Sequence, residues 1–391
     1  MQFTIKESVK EIKDAVKVFA ASGDYGKRTL GVLTVQASED TVTFSAVSGT
    51  RVSFRADVQR PGKCSISLDS LVDAIKTIEG APAFDFADDS DRTVTLSEAD
   101  GFSRIIGSWT DNYVGDVIEN TDRSISLVLD GAAVSEAVKS VSYAASDDES
   151  KYAMCGVNFD FSGIVPDGMD GGKVYAIATD GRRLAWSEAG EIPVGISGII
   201  PGDNFTVKSS VINFVADRAS KTGPVTFSES VTVEKAKYGD IVHHYCVIDF
   251  GRFHIVGAGI SSDFPNWKRV IPSASIMTSE FTLAPDFVKE SDRIAKTVNN
   301  RYKKIIVKFD GEIMVLDSEV AKQTIKAATK INGFNLFNKF AINVNYLREA
   351  VKAAGKSSVR FQMFEQGRPI LATVGNGTAV GSVIMPMNLE N

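Results

Sequence analysis

Six times along the chain a short β-type stretch runs directly into a helical apolar stripe. Three of these units open at Phe3 (FTIKESVKEIKDAVKVFA), Ile125 (ISLVLDGAAVSEAVKSVSYAA) and Phe281 (FTLAPDFVKESDRIAKTV). Three more, at Ser65 (SISLDSLVDAIKTI), Phe205 (FTVKSSVINFVADRA) and Phe340 (FAINVNYLREAVKAA), fall between or after them. A unit that recurs in this way points to an architecture made of copies. Each helix has a single apolar stripe: Val9, Ile12, Val16 and Phe19 in the first, Leu347, Ala350, Val351 and Ala354 in the last. Such a helix has to be backed, and the intervening stretches, TVTFSAVSGTRVSFRADV and KKIIVKFDGEIMVLD among them, alternate as strands do. The chain therefore reads as α+β: three similar domains, each with two helices packed on one face of a mostly antiparallel sheet. The boundaries fall near Thr121–Arg123 and Pro272–Ser275, giving domains 1–121, 122–273 and 274–391. The middle domain is the longest, and its SGIVPDGMDGG stretch reads as an extended hairpin loop.

At 43% hydrophobic and 24% charged, the sequence has the balance of a soluble globular protein. The N-terminal MQFTIKESVKEIKDAVKVF interleaves charge with apolar residues, unlike a signal or transit peptide. No uninterrupted apolar run is long enough to span a bilayer, so no membrane association is expected. Cys64, Cys155 and Cys246 are odd in number and far apart, which argues against a disulfide framework and for a cytoplasmic location.

The formal net charge is −6, whereas a domain that reads a DNA groove is usually basic. Positive charge is nevertheless sorted onto helix faces. Lys6, Lys10, Lys13 and Lys17 are spaced four, three and four apart and so share one side, opposite the apolar stripe. Lys289, Arg293 and Lys296 follow similar spacing in the fifth helix, as do Arg348, Lys352 and Lys356 in the sixth; Arg218 and Lys221 close the fourth. With all helices facing one way, a net-acidic protein would present a basic surface to phosphates without reading sequence. The plainer alternative is a set of solvated lysines, interleaved as they are with Glu7, Glu11 and Asp14.

Nothing assembles an active site, and no catalytic residue, metal or cofactor is expected. The adjacent His243 and His244 lie in a strand pattern, where neighbours point to opposite faces, and His254 is the only other histidine. HExxH, CxxC and GxSxG patterns are absent. AAGKSS, from Ala353 to Ser358, resembles the tail of a phosphate-binding loop, but Ala350 replaces the leading glycine and the segment closes a helix instead of opening one. It reads as a helix end with Gly355 as cap. The acidic clusters DFADDSDR and SDDESK lack the glycine and terminal glutamate of a calcium loop.

Four stretches carry a family resemblance. YAIATDGRRLAW (Tyr175 to Trp186) resembles the ATDGxRLA signature of bacterial-type DNA polymerase III β sliding clamps. DFPNWKRVIP (Asp263 to Pro272) is similar to that family's FPxYRRVLP, SVIMPMNL (Ser382 to Leu389) to its VMPMRL, and INVNYLREAV (Ile342 to Val351) to its FNVxYLxDxL helix start. Their order agrees with the family, and the likeness is good from about Lys151 onward; before that it rests on the repeat alone. The resemblance implies the DNA clamp fold and a head-to-tail homodimer closed into a six-domain ring, with helices lining the hole. It implies duplex DNA held by topology, loading by a clamp loader, and tethering of a DNA polymerase. It further implies a partner-peptide pocket between the second and third domains. Carried over by motif, that pocket comprises Met154, Thr179, Gly181, Arg182, Arg183 and Leu184; Pro265, Arg269 and Val270; Asn343 and Tyr346; and Val383, Ile384, Met385, Pro386 and Met387. Met-containing walls adapt to varied side chains while a few polar groups fix a peptide backbone.

DNA contacts are expected from the helix faces, through Lys10, Lys13, Arg218, Lys221, Lys296, Arg348 and Lys352, and, by the resemblance, from the DNA-facing loops of the first two domains, through Lys27, Arg28, Lys151 and Tyr152. Some positions depart from the family: Arg182 replaces its usual histidine, Asn388 its penultimate arginine, and Lys296 and Thr297 an apolar interface pair, while Ile105 and Ile106 keep an apolar facing strand. The first domain also lacks the family's PILxN-like segment. Divergence of this kind would suit a virus-encoded member. The competing reading is a non-catalytic β-rich structural or assembly protein, such as a viral particle component, which would bind neither DNA nor docking peptides.

Overall fold

The computed structural model describes residues 1–21, 31–46, 50–86, 92–109, 123–166, 169–193, 204–236, 239–257, 259–260, 262–272, 279–298, 302–310, 313–318, 320–326, 339–364, 367–375 and 379–389. They form two compact units, Met1–Gly131 with Asp217–Gly259, and Ala132–Ala216 with Ile260–Asn391. Among the described residues there are seven α-helices: α1 (Val9–Ala21), α2 (Leu68–Lys76), α3 (Gly131–Val141), α4 (Ser209–Thr222), α5 (Phe287–Glu290), α6 (Asp292–Thr297) and α7 (Val344–Ala353). None is long and apolar enough to cross a membrane.

In the first unit, strands Gln2–Ile5, Ala83–Phe86, Thr93–Ser97, Ser103–Trp109, Gly62–Ser67, Val32–Ser38, Thr41–Ala46 and Arg51–Arg60 are neighbours in that order. The last pairs back onto the first, so the series closes on itself. From Arg51–Arg60 the sheet continues through Phe253–Val256, Gly239–Phe250, Val225–Ala236 and Arg123–Leu129. Every pairing is antiparallel, and alternate residues such as Val52, Phe54 and Ala56 point into the core. α1 starts with a capping box: Ser8 N donates to Glu11 Oε2 (3.0 Å) while Glu11 N donates to Ser8 Oγ (3.4 Å). It then buries Val9, Ile12, Val16 and Phe19, the stripe legible in the sequence. Each such side chain contributes roughly 1.5–3 kcal/mol of transfer free energy. Ser67 caps α2 in the same manner, accepting from Ser70 N.

The second unit has two antiparallel sheets. Eight strands follow the order Asn204–Lys208, Gly156–Asp160, Lys173–Thr179, Arg183–Glu191, Val380–Ile384, Ile370–Val374, Val359–Met363, Ser279–Leu283. Four others follow the order Lys322–Lys326, Ile313–Asp317, Lys304–Asp310, Lys339–Asn343. The helix expected after Phe281 is broken into α5 and α6 at Ser291. That residue is fully buried and its Oγ donates to Phe287 O (2.6 Å), a back-bond of the kind that bends a helix. Asn343 caps α7, accepting from Asn345 N (2.9 Å), and Gly355, at φ +63°, follows its end.

The pairing of Arg183–Glu191 with Val380–Ile384 joins the middle and last thirds of the sequence in one sheet. Trp186 faces Gly381 in that register, and a Cβ at Gly381 would stand 2.3 Å from Trp186 Cζ2 and 2.9 Å from Ala372 O. Gly381→Ala must therefore displace either the ring or the strand. We expect it to lower stability by about 1–3 kcal/mol, read as an earlier urea midpoint, because overpacking a full core strains its neighbours.

Candidate functional site

The turn between strands Lys173–Thr179 and Arg183–Glu191 is braced by its own side chains. Thr179 Oγ1 donates to Arg183 O (2.6 Å) and accepts from Gly181 N (3.1 Å). Asp180 Oδ1 accepts from the backbone N–H groups of Arg182 (2.8 Å) and Arg183 (3.0 Å). Gly181 sits at φ +84°, where a side chain would strain the backbone.

The two arginines that follow part company. Arg183 turns inward, its side chain 12% exposed, with Nε 3.0 Å from Asp180 Oδ2 and a terminal nitrogen paired with Glu349. Its guanidinium lies 4.5 Å from the Tyr346 ring centre and 5.3 Å from that of Tyr143. Both carboxylates balance it, so it braces the site. Burial pushes the Tyr143 hydroxyl up to about 12; burial and the charge of Asp180 raise that of Tyr346. Arg182 turns outward, 5.5 Å over the Tyr302 ring, and among the described residues no carboxylate pairs with it.

Around this turn the C-terminal segment is strapped by two backbone bonds, Met385 N to Arg182 O (2.9 Å) and Met387 N to Ala341 O (2.7 Å). Leu184 and Val383 are cross-strand partners and at most 3% exposed, so they back the site, as does Ile384 at 1%. Of the other apolar residues expected in the pocket, Met385 and Val270 are each 39% exposed, and Met154, Pro386 and Met387 are half-buried. Met154 lies against the turn, its Sδ 3.8 Å from where a Cβ on Gly181 would be, and Lys151 Nζ donates to Asp180 O (2.7 Å). Pro265, Arg269 and Val270 flank Trp267, whose Nε1 donates to Asp160 Oδ2 (2.8 Å) and whose ring joins the apolar cluster of Leu184 and Val383. Asn343 and Tyr346 begin α7 beside Arg183. A cleft of about 110 Å³ shares Pro386 and Met387 with these residues and is lined further by Phe340, Met363, Phe364, Ile370 and Leu389. Those lining residues, and the braces Tyr143 and Glu349, carry no local sequence signal that sets them apart from ordinary core or surface.

The cations expected at DNA divide into exposed and engaged. In the first unit Lys10 and Lys221 are exposed. Lys13 Nζ instead donates to Ile78 O (3.0 Å) and Lys76 O (3.4 Å) at the end of α2, and Arg218 donates to Asp14 O (3.3 Å) on α1. In the second unit Lys352 and Tyr152 are exposed. Arg348 donates to Val288 O (3.1 Å) and Asp292 Oδ1 (2.9 Å), and Lys296 pairs with Asp292 at 2.5 Å. Together Lys296 and Arg348 hold the Asp292 carboxyl below the usual carboxylate range. Lys27 and Arg28 lie outside the described residues. On strand Ser103–Trp109, Ile105 is 67% exposed and Ile106 is buried. Among the described residues no cluster of three or more His, Cys, Asp or Glu is arranged to hold a metal ion; the His254 ring lies 2.5 Å from Asp249 Oδ1.

No family model matches the chain. It is similar to the beta sliding clamp of Synechococcus elongatus, 22% identical over 359 residues, covering 89% of this chain and 87% of that one. Against the beta sliding clamp of Synechocystis sp. it is 23% identical over 365 residues, covering 89% and 88%. Among solved structures it resembles a sliding clamp (DNA polymerase III subunit beta) of Pseudomonas aeruginosa bound to griselimycin, with TM-score 0.78, 16% identity and full coverage of both chains. It also resembles a DNA polymerase III beta subunit of Thermotoga maritima, with TM-score 0.77, 15% identity and coverage of 99% and 100%. The likeness to these structures shows the fold.

Proposed function

We infer that this chain, a member of the bacterial-type β sliding-clamp family, serves as a DNA sliding clamp that captures partner peptides on the surface built around Arg182, Met385 and Val270. The observation that carries the docking reading is the exposed side chain of Met385, whose backbone N is held on Arg182 O in the turn that Met154 lies against. A polarizable, unbranched side chain on a rigid strap suits apolar anchors of several shapes. In this reading the protein has no catalytic step of its own. It acts in the cytoplasm as a head-to-tail homodimer with the three domains 1–121, 122–273 and 274–391, is placed on duplex DNA by a clamp loader, and tethers a DNA polymerase.

The test is fluorescence anisotropy with a peptide from a polymerase's clamp-docking segment, using the intact chain and an Arg269→Ala, Met387→Ala double variant. Saturable binding that the variant weakens by tenfold or more, about 1.4 kcal/mol, is the expected result. Absence of binding with several such peptides would remove the docking reading while leaving the fold.

Arg182→Glu offers a further prediction. Arg182 is exposed and unpaired by carboxylate, so its reversal should leave stability within about 0.5 kcal/mol. Affinity for a peptide with an acidic residue near its anchor should fall at low salt and recover toward the wild-type ratio as salt is raised. Equal affinities at every salt concentration would place Arg182 outside the docking surface.

A further inference from the structure

The single helical turn Trp267–Arg269 has little of its own to fix its orientation. Its backbone closes with Val270 N on Trp267 O (3.1 Å), and Asn266, at its start, makes no side-chain capping bond. With three residues per turn, successive side chains of such a segment point about 120° apart. Two of them nevertheless end on the same atom. Trp267 Nε1 donates to Asp160 Oδ2 (2.8 Å), and Lys268 Nζ lies 3.0 Å from that oxygen. Arg269 and Val270, the residues that follow, are exposed.

Asp160 is built as a fixed point. It closes strand Gly156–Asp160, paired with Asn204 on one side and Tyr175 on the other, and its side chain is 8% exposed. Its Oδ1 accepts from Ser162 N (3.0 Å) and Ser162 Oγ (2.7 Å), and Ser162 Oγ accepts in turn from Lys268 Nζ (2.7 Å). The carboxylate thus receives donors on both oxygens while the ammonium reaches two acceptors, as a charge pair held away from water requires. Trp267 is buried, and its ring centre lies 6.0 Å from that of Tyr175. The strand that carries Tyr175, Lys173–Thr179, runs into the turn at Gly181. All of these residues belong to the second unit. The carboxylate therefore ties Arg269 and Val270 to the strand ladder that bears the docking turn.

We propose that Asp160 is a positioning residue for partner docking: through Trp267 and Lys268 it sets the direction in which Val270 meets a bound peptide. The proposal rests on the docking reading and adds to it a residue that does not itself touch the peptide. A mostly buried ion pair is a poor source of stability, because apolar side chains of the same volume serve as well or better. What they could not supply is direction. Apolar burial is non-directional, whereas hydrogen bonds to one oxygen orient both the indole and the ammonium. Met387 is the natural comparison, since its attachment is separate: its backbone N is held by Ala341 O.

The test measures a labelled clamp-docking peptide against the full chain by fluorescence anisotropy, in double-mutant cycles. Asp160→Asn keeps an acceptor for the indole and removes the charge that holds Lys268. Affinity should fall about fivefold, within the range for residues that share one network. Val270→Ala should weaken binding about tenfold in the wild-type chain and only about twofold in Asp160→Asn, because a side chain no longer aimed at the peptide has less to lose. Met387→Ala should cost the same factor in both backgrounds, to within about twofold, as independent sites do. A general loosening of the unit would shrink both factors alike, and that result would overturn the proposal. Lys268→Met is the second variant: it leaves the carboxylate its bonds from Trp267 and Ser162, so the fold should be retained, and it should give the same pattern. Wild-type affinity in both Asp160→Asn and Lys268→Met would overturn the positioning role and leave the docking reading in place. Failure of the peptide to bind the wild-type chain would instead remove the docking reading, and this proposal with it.

Discussion

Replacing Arg183 with alanine should lower the stability of the second unit by about 3 kcal/mol and abolish peptide docking with it. The guanidinium is 12% exposed and faces Asp180, itself 17% exposed, along with Glu349 and the rings of Tyr143 and Tyr346. Removing the cation leaves the Asp180 carboxylate mostly buried with no cation opposite it, the costly half of any buried pair. Glu349 is 38% exposed and can turn to water, so its share is small. Loss of the two ring contacts adds about 1 kcal/mol. The effect on docking follows because the same turn holds Met385 through Arg182 O, and a loosened turn frees the strap. The control is Arg182→Ala, one residue away and exposed, which should leave the urea midpoint almost unmoved. Comparable midpoints for the two alanine variants would show that Arg183 is no brace. A double-mutant cycle with Glu349→Gln should return a coupling of about 0.5–1 kcal/mol, the range for partly exposed pairs.

Much of this arrangement is legible in the sequence. The stripes of α1 and α7 name residues that the structure buries, with Ala354 at the end of the second only half-buried, and Ser8 with Glu11 announces the start of α1. The turn at Gly181 can be read from T-D-G because each residue type serves the turn locally. The hydroxyl and the carboxylate bond the next backbone N–H groups, and the glycine supplies the positive φ. What cannot be read locally is direction. Arg182 and Arg183 are adjacent and identical, yet one braces and the other faces solvent, because the partner of Arg183 lies 166 residues away. The same holds for charge on helices. Lys13 and Arg218 look like solvated cations opposite an apolar stripe, but the carbonyls of Ile78 and Asp14, supplied by neighbouring elements, claim them. Arg348 is taken in the same way by Val288 and Asp292. The break at Ser291 is a further case: helical spacing continues through it, and the buried hydroxyl bond to Phe287 O, of a kind that bends helices, appears only in the structure.

That sorting of cations leads to the second large effect, on DNA. Of the described residues expected to meet phosphate, Lys10, Lys221 and Lys352 are exposed without a close ionic partner, while Lys13, Arg218 and Arg348 are occupied. Each phosphate contact contributes a slope of roughly 0.9 in the logarithm of affinity against the logarithm of salt. The three exposed cations among the described residues by themselves give weak, salt-sensitive contact, too little to hold a protein on DNA through many rounds of synthesis. The proposed ring would not need more, since a closed ring leaves only by opening or by reaching an end. Once loaded on nicked circular DNA, the protein should therefore stay for many minutes at a salt concentration that abolishes its binding to short duplexes. Cutting the same circle once should release it far faster. A Lys10→Ala, Lys221→Ala, Lys352→Ala variant should bind short duplexes more weakly and with a shallower salt slope, yet remain on the uncut circle. Equal lifetimes on cut and uncut DNA would mean that contact, not closure, holds the protein. Loss of the triple variant from intact circles would mean that these three lysines hold the complex together and do not merely ease its sliding.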